Sequence, residues 1–362
     1  MAKQIQTLPD RDVTQALGER LRQADADGTP LRIVGGDTKA FYGRPVEGDT
    51  LSTREHRGIT RYDPVELIVS ARAGTPLAEL EATLAEQGQM LPFEPPHFGE
   101  DATVGGMVAA GLSGPRRPWA GAVRDFVLGV RLIDRHGESL RFGGEVMKNV
   151  AGYDLSRLMV GAQGALGLIA EVSLKVLPRP AARQSLRLAL PLDEARRRLA
   201  EWGRRPWPIT AAAWQDGALH LRLEGGRGSV ADTRAALGGE ALDDGYWDAL
   251  RELRLPHLDA ADARPLWRLS VPPRATLALP GIDEEAMLHD WGGAQRWLRC
   301  DLDAATLRDA VARADGHASC LTPGAAEPFT PLAPGLAEVH RRLKAQLDPN
   351  GIFNPGRLYG GL

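Results

Sequence analysis

The segments of this sequence able to do chemistry are marked by glycine and threonine rather than by histidine or cysteine. Gly35-Gly36-Asp37-Thr38-Lys39 follows the short apolar run Leu31–Val34. Successive glycine amides at a strand end form a concave set of N–H donors suited to a pyrophosphate, with no side-chain cation required. A plain strand-end turn has the same sequence. Further on, Leu91-Pro92-Phe93-Glu94-Pro95-Pro96 leads to Thr103-Val104-Gly105-Gly106 and Gly111-Leu112-Ser113-Gly114. Small residues between Thr103 and Gly114 let a helix start and a loop approach a phosphate, a ribose or a flat ring. Lys148-Asn149-Val150-Ala151-Gly152-Tyr153-Asp154 is polar and kinked between apolar stretches, and Gly161-Ala162-Gln163-Gly164-Ala165-Leu166-Gly167 feeds an apolar strand.

These segments sit in a glycine-dense region, with 14 glycines from Gly99 to Gly167. Each glycine costs conformational entropy, so this density means tight turns or close approach of the backbone to something. A loop-rich β domain and a long ligand lying on the main chain both fit. Other chemistries have no motif here. The eight histidines are at least 23 residues apart, and no HExxH or Cys/His spacing occurs, so no metal site is expected. GxxxxGK[ST], a GxGxxG after the first strand and GxSxG are absent, which argues against P-loop phosphoryl transfer, a Rossmann nicotinamide site and a serine hydrolase. Gly225-Gly226-Arg227-Gly228-Ser229 reads as a polar turn entering a helix.

The elements that would position these segments follow from periodicity. Val13, Leu17 and Leu21 predict a helix over Asp10–Gln23, and Leu31–Val34 and Leu67–Ala71 read as strands. Thr75 is expected to cap a helix carrying Leu77, Leu80 and Leu84, with Gly88 just past its end. Val127–Ile133 and Ser139–Phe142 form a hairpin, and Leu166 to Val176 alternates as a long strand that Pro178 and Pro180 stop. A domain boundary is expected there. Leu186–Leu190, Asp193–Trp202, Ile209–Trp214, Leu219–Leu223 and Ser229–Leu237 read as strand, helix, strand, strand and helix, one βαββα half of a ferredoxin-like unit. A second hairpin turns at Gly292-Gly293, Leu302–Ala314 is a helix, and Leu336, Val339, Leu343 and Leu347 mark a C-terminal one. The fold class is α+β, in three parts: 1–180, a cap at 181–330, and a tail at 331–362. No sequence repeat is visible.

Composition bounds the function. The chain has 362 residues, 43% hydrophobic and 25% charged, with a net charge of -3, which excludes disorder and gives no basis for binding nucleic acid. No apolar run approaches the ~18 residues of a transmembrane helix. No signal peptide is visible at the N-terminus, so a cytoplasmic location is expected. Two cysteines, Cys300 and Cys320, are too few for a disulfide scaffold or an iron–sulfur cluster held by this chain alone. Arginine outnumbers lysine 39 to 5, so a single arginine carries little information.

Taken in order, the four glycine-rich segments resemble the FAD-binding (PCMH-type) domain of the vanillyl-alcohol oxidase/p-cresol methylhydroxylase superfamily, and more narrowly the FAD-binding subunits of bacterial glycolate oxidases. The resemblance covers about residues 10–180 and returns at Asp348–Gly356, similar to the family's Asp-Pro…Asn-Pro-Gly ending. Pro-Pro-His-Phe at 95–98, Ala-Thr-Val-Gly-Gly at 102–106 and Lys-Asn-Val-Ala-Gly-Tyr-Asp-Leu at 148–155 carry it most closely. It implies a two-subdomain FAD-binding domain under an α+β cap. By the same resemblance Gly35, Gly36, Asp37, Thr38 and Lys39 form the pyrophosphate loop, and Thr103, Gly105, Gly106 and Ser113 lie along the FAD. Pro92 lies near the isoalloxazine, Gly161, Gly164, Gly167 and Ile169 beside the adenosine, and Asn354 returns toward the flavin. The first loop has no histidine, so the FAD is expected to be non-covalent.

The resemblance further implies oxidation of glycolate, a 2-hydroxy acid, to glyoxylate, with a catalytic FAD subunit and an iron–sulfur subunit as partners. Membrane association would come only through those partners. A non-catalytic FAD-holding scaffold and a stand-alone flavin oxidoreductase for another hydroxy acid or alcohol are the alternatives. The cap departs from catalytic relatives. His220, His257, His289 and His317 are scattered, and no catalytic residue is assigned. Arg116 and Arg117 are candidate anchors for a substrate carboxylate. Tyr153 could equally donate to the flavin ring or pack. A glutamate at Gly36 is expected to expel FAD by conflict with the pyrophosphate.

Overall fold

The computed structural model describes residues 9–144 and 154–362. It divides into two compact units. The first comprises the residues up to Leu112, Ala122–Pro178 and Pro331–Leu362, and the second comprises Ser113–Gly121 and Arg179–Thr330.

In the first unit, strands β1 (Leu31–Val34) and β2 (Asp49–Ser52) pair in parallel. Phe353 of the C-terminal tail bridges to Leu31, so the tail lies along β1. A five-stranded antiparallel sheet is built from β3 (Ile59–Asp63), β4 (Ile68–Arg72), β6 (Val127–Ile133), β7 (Ser139–Gly143) and β8 (Leu168–Lys175) in the order β3-β4-β8-β6-β7. Between them β5 (Gln89–Met90) pairs with β9 (Leu177–Pro178).

Two cores result. Leu17, Leu21, Leu31, Leu51, Leu168 and Phe353 form one, around β1, β2 and the helix Thr14–Asp27. The other packs Leu77, Leu80, Leu84, Val104, Met107 and Val108, from helices Leu77–Glu86 and Val104–Ala110, onto the sheet residues Val69, Val130 and Val172. Val69, Val108 and Val172 are fully shielded from solvent. Burying a Val or Leu side chain contributes about 1.5–3 kcal/mol, so these contacts fix the sheet under the loops it carries.

Three local expectations change. The first helix runs Thr14–Asp27 rather than Asp10–Gln23. Arg11 is held in a backbone bridge to Arg57, the Asp12 carboxylate accepts from the Thr14 N–H at 2.9 Å, and Gly28 at φ +64° ends the helix. Thr75 does not cap its helix. Its hydroxyl accepts from the Gly58 N–H at 2.9 Å and donates to the Gly58 carbonyl at 3.2 Å. The strand read from alternation at Leu166–Val176 is β8, and six of its eight residues are buried. One face, Leu168, Ala170, Val172 and Leu174, is buried throughout, and the other alternates buried Ile169 and Ser173 with half-buried Glu171 and Lys175.

The second unit contains one eight-stranded sheet. Its strands are β10 (Ala182–Ala189), β11 (Ile209–Gln215), β12 (Ala218–Gly225), β13 (Glu240–Ala241), β14 (Leu266–Ser270), β15 (Leu288–Asp290), β16 (Gln295–Arg299) and β17 (His317–Cys320). The order is β13-β10-β12-β11-β15-β16-β14-β17. The first four are in the 4-1-3-2 order of a complete ferredoxin-like βαββαβ unit, with crossover helices Leu192–Trp202 and Arg227–Leu237. The last four repeat that order in mirror succession. In this second copy a loop with one 3₁₀ turn, Glu284–Ala286, replaces the first crossover helix. The two copies join where Trp214 of β11 pairs with His289 of β15. The duplication is topological and leaves no repeat in the sequence.

Candidate functional site

One cleft of the first unit gathers most of the motif residues. It is open to solvent and is lined by Gly35, Gly36, Asp37, Thr38 and Lys39 after β1. Thr103, Gly105 and Gly106 at the start of helix Val104–Ala110 line it too, as do Gly164, Gly167, Ile169 and Asn354. Four segments distant in sequence are therefore neighbours. Pro92, Ser113 and Gly161 are not among the lining residues. Ser113 opens the short segment that clusters with the second unit. Lys148 to Tyr153 lie outside the described residues.

Local packing explains the glycines. A Cβ on Gly36 would overlap the Asp101 carbonyl oxygen, and one on Gly35 would overlap the Thr103 hydroxyl. A Cβ on Gly105 would stand 2.6 Å from that of Ala73. These three glycines let the loop, the helix and the end of β4 close on one another. This corrects the expectation for Gly36. A glutamate there would displace the loop from Asp101 before meeting any ligand. Gly106 and Gly167 differ. A Cβ at Gly106 meets only the Thr103 Oγ1, at 3.1 Å, and one at Gly167 only the Ile133 carbonyl, at 3.9 Å. Both residues line the cleft, so a side chain there would occupy its space.

The donors and charges suit an anionic, flat ligand. Among the described residues, the backbone N–H groups of Gly35, Gly36, Asp37 and Thr38 donate to no protein acceptor. Consecutive uncommitted amides in a turn are an anion-binding arrangement. Asp37 adopts φ +58° there, and its carboxylate is paired with Arg32. The Thr38 hydroxyl donates to the His97 carbonyl at 2.7 Å, and Lys39 Nζ donates to the same oxygen at 3.1 Å, so the loop is tied to the Pro-Pro-His-Phe segment. Arg32, Lys39 and Arg357 against Asp37 leave the lining net positive. Ile33, Val34, Tyr42, Val46, Ala73 and Ile169 add an apolar stretch of wall. A molecule with a pyrophosphate between flat rings matches this division.

The C-terminal tail closes the site. Asn354 holds φ +38°. Its side-chain oxygen accepts from the Ile33 N–H at 2.6 Å, and its amide nitrogen donates to the Gln163 carbonyl at 2.6 Å. It joins β1 to the Gly161–Gly167 loop. Arg357, which the sequence did not single out, does more. Its guanidinium donates to Gln163 Oε1 at 2.9 Å and to the carbonyls of Lys39, Ala40, Tyr42 and Arg44. Burial pulls the Arg357 pKa below the ordinary arginine value, against the attraction of Asp37. Deeper in, Lys344 Nζ donates to the carbonyls of Ala165 and Phe353 at 2.7 Å each and to Asp348 at 2.6 Å. Asp348 also accepts from the N–H groups of Ile352 and Phe353. The Asp-Pro…Asn-Pro-Gly ending is thus a clasp for the cleft's loops.

The candidate anchors and bases of the second unit have other partners. Arg116 and Arg222 both pair with Glu224, and these three side chains are buried. The Arg117 guanidinium lies 4.4 Å over the Trp291 ring. His220 stacks on Tyr246 at 4.5 Å, and His289 donates its Nε2–H to the Glu284 carbonyl at 2.8 Å. Burial lowers both imidazole pKa values to about 4. Among the described residues no cluster of three or more His, Cys, Asp or Glu could hold a metal ion. No helix among them is long and apolar enough to cross a membrane.

Comparison with known proteins agrees with this geometry. Residues 13–143 match the FAD binding domain family model. The glycolate oxidase subunit GlcE of Escherichia coli (strain K12) is 53% identical over 98% of this chain and 100% of its own length. The glycolate oxidase subunit GlcD of Bacillus subtilis (strain 168) is 29% identical over 51% of this chain and 40% of its own. Among solved structures, an alkyldihydroxyacetonephosphate synthase superposes with TM-score 0.66 over 94% of this chain and 75% of its own at 17% identity, a likeness of fold. The chain belongs to the family of the glycolate oxidase subunit GlcE, and its first unit carries an FAD binding domain.

Proposed function

We propose that this chain is the FAD-binding subunit of a complex that oxidises glycolate to glyoxylate, working with a catalytic FAD subunit and an iron–sulfur subunit. The observation that carries this is the 53% identity with GlcE, which extends over the full length of that protein. The cleft supports it. The amides of Gly35 to Thr38, with Arg32 and Lys39 beside them, suit a pyrophosphate. Ile33, Val34 and Tyr42 suit the flat rings, and Asn354 and Arg357 hold the loops around them. Among the described residues no His or Cys lines the cleft, in keeping with non-covalent FAD.

Oxidation of a 2-hydroxy acid removes a hydride and a proton, and bound FAD is the two-electron acceptor. The protein must still supply a base and a carboxylate anchor. In the second unit, which we assign as the cap, Arg116 and Arg117 are engaged, and His220 and His289 are buried. This favours substrate deprotonation on the catalytic subunit, with this chain's FAD relaying electrons or holding the complex together. Association with a membrane would then come through the partners.

The test is the visible spectrum of the purified chain before and after anaerobic glycolate. We expect oxidised-flavin bands that glycolate leaves unchanged, and bleaching once the catalytic subunit is added. Bleaching of the isolated chain would move the chemistry into it. A folded chain that cannot be loaded with FAD would overturn the proposal.

A further inference from the structure

The second unit carries a groove of about 930 Å³, open to solvent, between helix Leu192–Trp202, the start of β11 and the turns at Pro273-Arg274 and Trp291-Gly292. Of the eight tryptophans, Trp202, Trp214, Trp247, Trp267 and Trp297 are buried. The three that are not, Trp119, Trp207 and Trp291, all line this groove. Trp119 alone is 40% exposed. Partly exposed tryptophans scattered singly need no explanation, but convergence on one groove does.

The charge is equally one-sided. No Asp or Glu lines the groove. On the neighbouring helix each arginine has a carboxylate partner: Arg196 with Glu284, Arg197 with Glu194 and Glu201, Arg198 with Glu194. Arg205 and Arg274 line the groove and are exposed, and neither makes an ion pair among the described residues. Arg205 instead lies 4.8 Å over the Trp207 ring. The rim is rigid. Arg116 is anchored on buried Glu224, Arg117 stacks on Trp291, and the Trp291 indole donates to the Gly114 carbonyl at 3.1 Å. The short helix Arg117–Ala120 therefore presents Trp119 in a fixed position.

We infer that this groove docks an acidic face of another subunit of the same complex, one that sets an apolar side chain among the tryptophans and carboxylates against Arg205 and Arg274. The inference rests on the subunit reading proposed above. Tryptophan and arginine are the residues most enriched where protein interfaces concentrate their binding energy. A preformed rim lowers the ordering cost of association. A small anion is a poorer fit, because the two guanidinium groups are exposed rather than converging in a closed pocket.

The experiment co-expresses the tagged chain with the catalytic FAD subunit and the iron–sulfur subunit and measures how much of each is recovered, together with flavin content. The variants are Trp119→Ala and the pair Arg205→Glu with Arg274→Glu. Arg227→Glu, an exposed position away from the groove, is the control. We expect each groove variant to lower partner recovery about tenfold or more while the control keeps it. Flavin retained in the purified groove variants, with a thermal unfolding profile like that of wild type, would show that both units are folded. If the double reversal fails to fold, Trp119→Ala decides alone. Unchanged recovery with the groove variants overturns the docking site and leaves the subunit reading intact. A wild-type chain that recovers neither partner overturns both.

Discussion

Arg357 donates through Nε to the Gln163 side-chain oxygen at 2.9 Å, across 194 residues of sequence. The same guanidinium takes the carbonyls of Lys39, Ala40, Tyr42 and Arg44. Two walls of the cleft are therefore held by one planar cation. Gly43 adjoins this contact, and a Cβ there would come within 2.9 Å of Arg357 Nε. Arg357→Lys keeps the charge but cannot span five acceptors from one plane. It should weaken FAD binding about tenfold or more, and Arg357→Ala should do so further. Flavin fluorescence titration of the refilled apoprotein measures both. Asn354→Ala should cost about 1–3 kcal/mol in unfolding free energy, because it strands the Ile33 N–H and the Gln163 carbonyl.

The two kinds of glycine in the cleft should behave oppositely. Gly36→Ala drives a methyl into the Asp101 carbonyl, so the apoprotein itself should lose stability. Gly106→Ala adds a methyl that meets only Thr103 Oγ1. In a helix that exchange favours the folded chain by up to about 1 kcal/mol. Its apoprotein should therefore lose less stability than that of Gly36→Ala, while FAD affinity falls. Equal FAD affinity for wild type and Gly106→Ala would place the flavin elsewhere.

Glu224 is the shared counter-ion of buried Arg116 and Arg222, and it also accepts from the Thr210 hydroxyl. Glu224→Gln removes the carboxylate that buried Arg116 and Arg222 share. Removing one partner of a buried pair typically destabilises by about 3–5 kcal/mol. The expected outcome is a lower denaturation midpoint by urea. Arg116→Ala should likewise act through stability. A folded Arg116→Ala complex in which only the KM for glycolate rises would restore the arginine as a substrate anchor.

His220 and His289 set a pH dependence. Burial lowers their folded-state pKa values to about 4, from 6.5 in the unfolded chain. Between those values the unfolded chain binds the protons that the folded chain refuses, so stability rises with pH across pH 4 to 6.5 and is lost as pH falls. The full shift is worth at most about 3 kcal/mol per histidine. Thermal unfolding between pH 4 and 7 should show this slope, and His220→Gln with His289→Gln should flatten it. An unchanged slope in the double variant would assign the acid sensitivity to other groups.

Much of the candidate site was legible because its loops are local. Gly35 to Lys39, Thr103, Gly105 and Gly106, and Gly164 and Gly167 each announce a turn or a close approach by residue type alone, and all of them line one cleft. The helices Leu77–Glu86 and Leu192–Trp202 and the hairpin of β6 and β7 likewise follow from short-range periodicity. Where a neighbour in space overruled the local signal, the reading failed. Thr75 looked like a cap, yet its hydroxyl holds Gly58.

Residue types and their spacing determined that the chain folds as α+β and presents glycine-lined loops. Tertiary structure decided which glycines face the cleft and which face a packed carbonyl. It also decided that Arg357, one arginine among 39, clamps the loop, and that Arg116 faces Glu224 rather than a substrate. It turned the half of a ferredoxin-like unit read from the sequence into two joined units. The physical reason is the same in each case. Backbone preferences are set by a few adjacent residues, whereas a side chain's partner is set by strands and tails that meet only after the chain has folded.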